Sequence, residues 1–239
     1  MKLPPFQWWR TVFFLIPAVG LYTIGCGIVS LISTLFDRSG HFAHKCARTW
    51  ARLILSTTGV KVQRSGPLPA LDQSWIVVSN HASIYDIPIL FTALPHQLRI
   101  PAKASLGNFP FIGWHLRLAG HLLIERTNPG PAIIKRMKKM VQQQASLIIF
   151  PEGSRSQDGQ VGKFKGGSFL LAIDNQLPIV PITVVNSPNV MRKGELMVQP
   201  ATVQVILHDA IPTTGLTRAD ARELAKRVEA VVARDAKAV

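Results

Sequence analysis

The feature that most restricts the fold of this chain is a run without any charged residue at positions 11–36. About 20 apolar residues in a helix are enough to cross the hydrocarbon core of a bilayer. Trp8, Trp9 and Arg10 precede the run, and such aromatic and cationic side chains collect at the headgroup level. The sequence therefore predicts a membrane-associating helix that either spans the bilayer or re-enters it, because Pro17 and three glycines can bend it. A cleaved signal peptide is the alternative.

Basic residues are denser after this run than before it. Lys2 and Arg10 precede it, whereas four basic residues follow within a short distance, at positions 38, 45, 48 and 52. Because Lys and Arg accumulate on the cytoplasmic side, we expect the rest of the chain on the cytoplasmic face of a membrane, the inner membrane if the source is bacterial. Residues 41–57 mix apolar and basic side chains, which predicts a helix lying on an anionic surface or, equally, one packed on the domain. Residues 1–58 would then form a membrane-associating segment.

Residues 59–239 alternate short apolar runs with amphipathic ones, a pattern typical of an α/β domain. Seven strands are predicted, at residues 60–63, 75–79, 98–102, 121–125, 146–150, 179–185 and 202–207. Helices are expected at residues 87–94, at 128–144 and from a capping signal at Thr217 and Asp220 to the end. The strands at 75–79 and 146–150 are apolar without alternation, so both faces of the sheet should be covered. We expect a mixed, largely covered sheet flanked by helices, preceded by the membrane anchor.

Charge and composition narrow the possible partners. The 27 Lys and Arg against 13 Asp and Glu leave a net charge of +14, which favours an anionic partner. The hydrophobic share of 47% favours a membrane surface over nucleic acid, so no nucleic-acid partner is expected. Cys26 and Cys46 are too few for a disulfide framework and fit a reducing compartment. The same charge and composition also fit a non-catalytic basic protein that binds membranes or nucleic acid.

A histidine and a carboxylate follow the second predicted strand, in the segment NHASIYD at residues 80–86. Histidine, with an ordinary pKa of about 6.5, can accept a proton at neutral pH, and a carboxylate that accepts its other N–H fixes the tautomer. On a regular helix an offset of five residues turns Asp86 about 140° away from His81. The two side chains can therefore meet only if a turn precedes a helix that begins near Asp86. The spacing alone fits a strand end capped by Asp86 equally well.

Three further blocks follow in order: GHLLIER at residues 120–126, FPEGSRS at 150–156 and VPI at 180–182. Together the four blocks resemble the 1-acylglycerol-3-phosphate acyltransferases and related glycerophospholipid acyltransferases, over residues 60–207. The resemblance implies that His81 and Asp86 are the catalytic dyad of an HX4D motif. It implies acyl transfer from a thioester to a lysophospholipid, giving phosphatidic acid in phospholipid biosynthesis. The resemblance implies acyl-CoA or acyl carrier protein as the acyl-donor substrate and implies no metal or other cofactor. Lyso-ornithine lipid and glycerol 3-phosphate are alternative acceptors.

The resemblance also assigns residues to the acceptor's glycerol phosphate. The second and third blocks map this role to Arg126, Glu152, Gly153 and Arg155. A guanidinium can grip a phosphate in a bidentate manner, and glycine lets the backbone approach a ligand closely. Lys103 and Asn80 complete the predicted substrate-binding residues, and Lys165 is a further candidate cation. Glu125 beside Arg126 leaves the headgroup of the acceptor open.

Overall fold

A mixed sheet organises the chain in the computed structural model, which describes residues 4–37, 39–108, 116–117, 121–124, 137 and 139–236. The strands are β1 Lys61–Ser65, β2 Ile76–Ser79, β3 Gln97–Arg99, β4 Pro101–Lys103, β5 Leu122–Ile124, β6 Ala145–Ile149, β7 Ile179–Val185 and β8 Thr202–Leu207. Six of them form one sheet in the order β1-β8-β7-β2-β6-β3, and β4 pairs with β5 separately. All pairs are parallel except β7 with β8. The expected mixed sheet is confirmed.

One predicted strand is wrong in its extent. The stretch 98–102, predicted as a single strand, is divided into β3 and β4, which belong to different sheets. Ile100 separates them and donates its backbone N–H to Nδ1 of His121 at 3.2 Å rather than to a neighbouring strand. Pro101 then offers no N–H to continue a ladder. The predicted strands at 179–185 and 202–207 coincide with β7 and β8.

Helices cover both faces of the six-stranded sheet. They are α1 Phe6–Ser33, which contains a π-helical segment Thr11–Leu15, α2 His41–Thr58, α3 Asp86–Ala93, α4 Leu170–Asp174, α5 Ser187–Val190 and α6 Ala221–Ala236. Val77 belongs to an apolar cluster with side chains of α2 and α3, while Ile76 and Val78 belong to a second cluster with side chains of α6. This alternation confirms that β2 is buried on both sides. The predicted capping box of Thr217 and Asp220 is present. Of the predicted helix 128–144, only residues 137 and 139–144 lie within the described residues.

The two N-terminal helices form an antiparallel hairpin against the sheet. The Tyr22 hydroxyl lies 3.1 Å from Oγ1 of Thr57, and Arg10 donates to the carbonyl oxygen of Thr58 at 3.2 Å. Oγ1 of Thr11 accepts the backbone N–H of Val198 at 3.1 Å, so the start of α1 is attached to the α/β domain. Helix α2 shares its apolar core with β2, as expected of a helix packed on the domain.

Helix α1 keeps an apolar face exposed. It is long and apolar enough to cross a membrane by length and composition. It begins at Phe6 and ends at Ser33, earlier at both ends than the predicted 11–36. The exposed side chains include Phe13, Phe14, Leu21, Ile24, Ile28 and Ile32. A face of this size lacks a partner among the described residues, which is unusual for a helix surrounded by water on that side.

Candidate active site

The predicted pair meets at the carboxyl end of β2. His81 follows the strand, residues 82–85 turn, and Asp86 is the first residue of α3. Nδ1 of His81 lies 2.8 Å from Oδ2 of Asp86, and the same oxygen accepts the backbone N–H groups of Ala82 at 2.8 Å and Ser83 at 2.9 Å. The intervening turn is thus closed by the carboxylate itself. This is the geometry that the sequence required for a dyad.

The hydrogen bonds fix which nitrogen of His81 can act as a base. The Asp86 carboxylate is an acceptor, so the proton of the neutral ring lies on Nδ1 and the lone pair lies on Nε2. Asp86 is fully buried (0% exposed), whereas 17% of the His81 side chain is exposed. The imidazole stacks on Phe150, with ring centroids 4.1 Å apart and 19° between the planes. The ring is therefore held on one side and presents Nε2 to an incoming group.

A second turn, at the end of β6, forms hydrogen bonds with the main chain of His81. Oε1 of Glu152 accepts the His81 N–H at 2.9 Å, and the Ser156 N–H donates to the His81 carbonyl oxygen at 2.8 Å. Burial raises the pKa of Glu152, an effect opposed by its hydrogen bonds to the N–H groups of His81 and Gly162. Glu152 therefore positions the loop that carries His81 and Asp86.

Gly153 has a backbone conformation that residues with a Cβ rarely adopt. Its φ of +78° is in the left-handed region, and a Cβ added there would lie 2.8 Å from Nζ of Lys165. The close approach brings the Lys165 ammonium over the turn that carries Glu152 and Arg155. Lys165, a candidate from the sequence, is thus beside the predicted acceptor residues.

Comparison with known proteins agrees with this geometry. The profile of the family described as Acyltransferase matches residues 59–185, more than half of the chain. The chain belongs to the Acyltransferase family. The match includes NHASIYD, GHLLIER, FPEGSRS and VPI, the four blocks on which the resemblance depends.

Several relatives in the Acyltransferase family are named 1-acyl-sn-glycerol-3-phosphate acyltransferases. A chloroplastic 1-acyl-sn-glycerol-3-phosphate acyltransferase of Brassica napus is 35% identical over 182 residues, covering 74% of this chain and 53% of its own length. The 1-acyl-sn-glycerol-3-phosphate acyltransferase of Saccharomyces cerevisiae is 29% identical over 219 residues, covering 88% and 72%. The alignments span about half the length of the first plant relatives, 53% and 49%.

A solved structure has the same fold. It is the crystal structure of the 1-acyl-sn-glycerophosphate (LPA) acyltransferase PlsC from Thermotoga maritima, with a TM-score of 0.80. The likeness covers 97% of each chain at 24% sequence identity. It therefore includes the N-terminal helices as well as the Acyltransferase domain.

The structure brings together only part of the predicted acceptor site. Glu152, Gly153 and Arg155 share the turn beside the dyad. Arg126 and Glu125 lie outside the described residues. Lys103 ends β4, and its side chain is likewise outside the description.

Asn80, a predicted substrate-binding residue, has its amide bonded to the main chain of Val184. It is only 3% exposed, its Nδ2 donates to the carbonyl oxygen of Val184 at 2.9 Å, and its Oδ1 accepts the Val184 N–H at 2.8 Å. Both polar atoms of the amide are occupied in linking the end of β2 to β7. The geometry thus gives no support to Asn80 as a substrate-binding residue and instead makes it a support for His81.

Sequence reasoning missed two supports of the dyad. Phe150 stacks on His81, and the Ser83 hydroxyl donates to the carbonyl oxygen of Met191 at 2.8 Å. The position of Phe150 at the start of the FPEGSRS block was a signal that could have been used. The contact between Ser83 and Met191 joins segments 108 residues apart, which no local pattern indicates.

Proposed function

We propose that this protein transfers an acyl chain from an acyl thioester to the free hydroxyl of 1-acylglycerol 3-phosphate and so forms phosphatidic acid. The observation that carries the proposal is the hydrogen bond between His81 and the buried Asp86, which leaves Nε2 as a base. The names of the curated relatives support the choice of acceptor.

The reaction follows from the orientation of His81. Nε2 takes the proton of the acceptor hydroxyl as its oxygen attacks the thioester carbonyl, forming a carbon–oxygen bond. The Asp86 carboxylate stabilises the resulting imidazolium. When the oxyanion collapses, the carbon–sulfur bond breaks, and the imidazolium returns its proton to the departing thiolate. A thiolate leaves readily, so we expect no cofactor beyond acyl-CoA or acyl carrier protein as the donor.

Membrane binding would bring the lipid acceptor to the dyad. The exposed apolar face of α1 suits the acyl region of a bilayer, and Trp8, Trp9 and Arg10 suit its headgroups. Thr11 at this end is hydrogen-bonded to Val198 of the catalytic domain. We propose that the protein lies on an anionic membrane surface with its catalytic domain on the cytoplasmic face.

The test is an acyl-transfer assay on detergent-purified protein with labelled acyl-CoA and acyl carrier protein. The acceptors are 1-acylglycerol 3-phosphate, lyso-ornithine lipid and glycerol 3-phosphate. We expect His81→Ala to lower the rate with the preferred acceptor by about 10²–10⁴-fold, the usual contribution of general base catalysis. His41→Ala, at an exposed position of α2, is the matched control and should retain wild-type activity.

Two results would contradict the proposal. Equal activity of wild type and His81→Ala on every acceptor would remove the catalytic role. Binding to DNA or RNA that weakens steeply with salt, without affinity for acidic vesicles, would instead favour a nucleic-acid-binding protein. Activity on lyso-ornithine lipid or glycerol 3-phosphate alone would keep the reaction and change the acceptor.

A further inference from the structure

A cavity of about 520 Å³ lies beside the turn that follows β6. Two of the residues that line it, Glu152 and Ser156, are the ones that hydrogen-bond the main chain of His81. The cavity therefore shares a wall with the catalytic loop. A group bound there would lie beside residues that hold the main chain of His81.

Three cationic side chains line this cavity: Arg155, Lys163 and Lys193. In the part of the chain that the structure describes, none of them pairs with a carboxylate. Cations that remain without counter-ions around one concavity attract an anionic ligand.

The two acids of the cavity are engaged elsewhere. Glu152 accepts the His81 N–H. Oδ1 of Asp158 accepts the Ser156 hydroxyl at 2.7 Å and the Gln160 N–H at 3.0 Å, and these bonds lower the pKa of Asp158. Both carboxylates thus accept hydrogen bonds from groups other than the three cations, which leaves the cations available to a ligand.

Lys193 is held in place at the cavity wall. Its Nζ donates to the carbonyl oxygen of Arg155 at 2.9 Å. It stands at the corner of a tight turn in which the Glu195 N–H bonds the Arg192 carbonyl oxygen at 3.2 Å and Gly194 has a φ of +86°. An ammonium has three N–H donors, so two remain for a ligand.

The same segment is attached to the catalytic loop. Ser83, between His81 and Asp86, donates its hydroxyl to the carbonyl oxygen of Met191, two residues before Lys193. The position of the ammonium is therefore fixed relative to the dyad from two sides, through Arg155 and through Met191.

We propose that Lys193 and Lys163 join Arg155 in binding a phosphate ester of a substrate in this cavity. Lys163 and Lys193 lie outside the four sequence blocks, and nothing in those blocks assigns them a role. The inference rests on the proposed function, in which two substrates carry phosphate: the acceptor has a phosphomonoester, and acyl-CoA has nucleotide phosphates.

Kinetics with Lys193→Ala and with Lys163→Ala/Lys193→Ala test the proposal and distinguish the two sources. Arg192→Ala is the matched control, because Arg192 is an exposed cation of the same turn that does not line the cavity. We expect Lys193→Ala to raise one KM by roughly tenfold, the loss expected for one charge-assisted hydrogen bond, with kcat changed by less than about threefold. The double variant should raise the same KM further, and Arg192→Ala should behave as wild type.

The affected substrate identifies the phosphate. A rise in KM for 1-acylglycerol 3-phosphate, absent with monoacylglycerol as acceptor, assigns the cavity to the acceptor. A rise in KM for acyl-CoA, absent with an S-acyl pantetheine donor, assigns it to the donor. Equal effects of Lys193→Ala and Arg192→Ala would overturn the proposal, because surface charge alone would then explain them.

Binding of inorganic pyrophosphate, measured by calorimetry without substrates, makes the result independent of turnover. Wild type and Arg192→Ala should bind it about equally, and the double lysine variant should bind it at least tenfold more weakly. Retained binding in the absence of any acyl transfer would refute the proposed function and leave the phosphate cavity standing. Unchanged KM values together with unchanged pyrophosphate binding in the double variant would refute the cavity.

Discussion

The loop that carries His81 and Asp86 is buried and hydrogen-bonded within the protein, whereas helix α1 exposes large apolar side chains. In the loop, one buried oxygen of Asp86 accepts three N–H groups, and the main chain of His81 is bonded on both sides. On α1, by contrast, large apolar side chains such as Leu21 and Ile24 are 69% and 64% exposed. The hydrogen bonds of the first region lie within the chain, whereas the exposed apolar face of the second has no partner among the described residues.

We therefore expect the loop to determine catalysis and α1 to determine membrane binding. The loop owes its geometry to short hydrogen bonds inside the protein, so substitutions there should change turnover and folding. The outer face of α1 contributes little to the core, so substitutions there should change membrane binding and leave turnover intact.

Asp86→Asn should have the largest effect. An amide cannot stabilise the imidazolium as a carboxylate does, and it can favour the wrong tautomer of His81. We expect kcat to fall by about 10³–10⁴-fold with little change in KM. Single-turnover assays at saturating donor and acceptor measure it, and circular dichroism verifies the fold. A loss below about tenfold would mean that the buried carboxylate serves folding rather than catalysis.

Ile24→Glu should have the next largest effect, on location. If the outer face of α1 lies in lipid, a carboxylate there removes the burial of one isoleucine, about 2 kcal/mol, and adds a charge. We expect partition into anionic vesicles to fall by at least roughly 30-fold, measured by co-sedimentation. Turnover of a micelle-dissolved acceptor should not change. Lys226→Glu, at an exposed position of α6, is the control for added negative charge, and an equal loss of vesicle binding there would remove the special role of α1.

Both the apolar helix and the turn between His81 and Asp86 could be predicted from the sequence, because each depends on a local pattern. Apolar runs without alternation marked β2 and β6, and the five-residue offset between His81 and Asp86 required the turn that is observed. The single strand predicted at 98–102 failed because its division depends on His121, which is distant in the sequence.

The role of Asn80 could not be predicted for the same reason. Its amide pairs with Val184, which lies 104 residues away, and no spacing rule indicates that contact. Lys193 likewise reaches the site through the fold, by way of the Arg155 carbonyl oxygen. Local motifs thus identify the reacting groups, and long-range contacts decide which residues support them.

Asn80→Ala should lower stability by about 2 kcal/mol, because it leaves the buried N–H and carbonyl groups of Val184 without their partner. Thermal unfolding in detergent measures the loss, with Asn189→Ala at an exposed position of α5 as the matched control. A rise in KM without loss of stability would return Asn80 to the substrate-binding residues.

Glu152→Gln should have the smallest effect and a characteristic pH dependence. The pKa of Glu152 in the folded protein is raised by burial, so its contribution to stability is fully present below the pKa of the unfolded chain and is lost as pH rises through the folded pKa. Gln keeps an oxygen that can accept the His81 N–H and does not ionise. The variant should therefore gain stability relative to wild type as pH rises from about 4 to 8, while kcat falls by less than about tenfold. Thermal unfolding at several pH values measures this, with Glu195→Gln at an exposed position as the control. A difference in stability that does not vary with pH would show that Glu152 acts through hydrogen bonding alone.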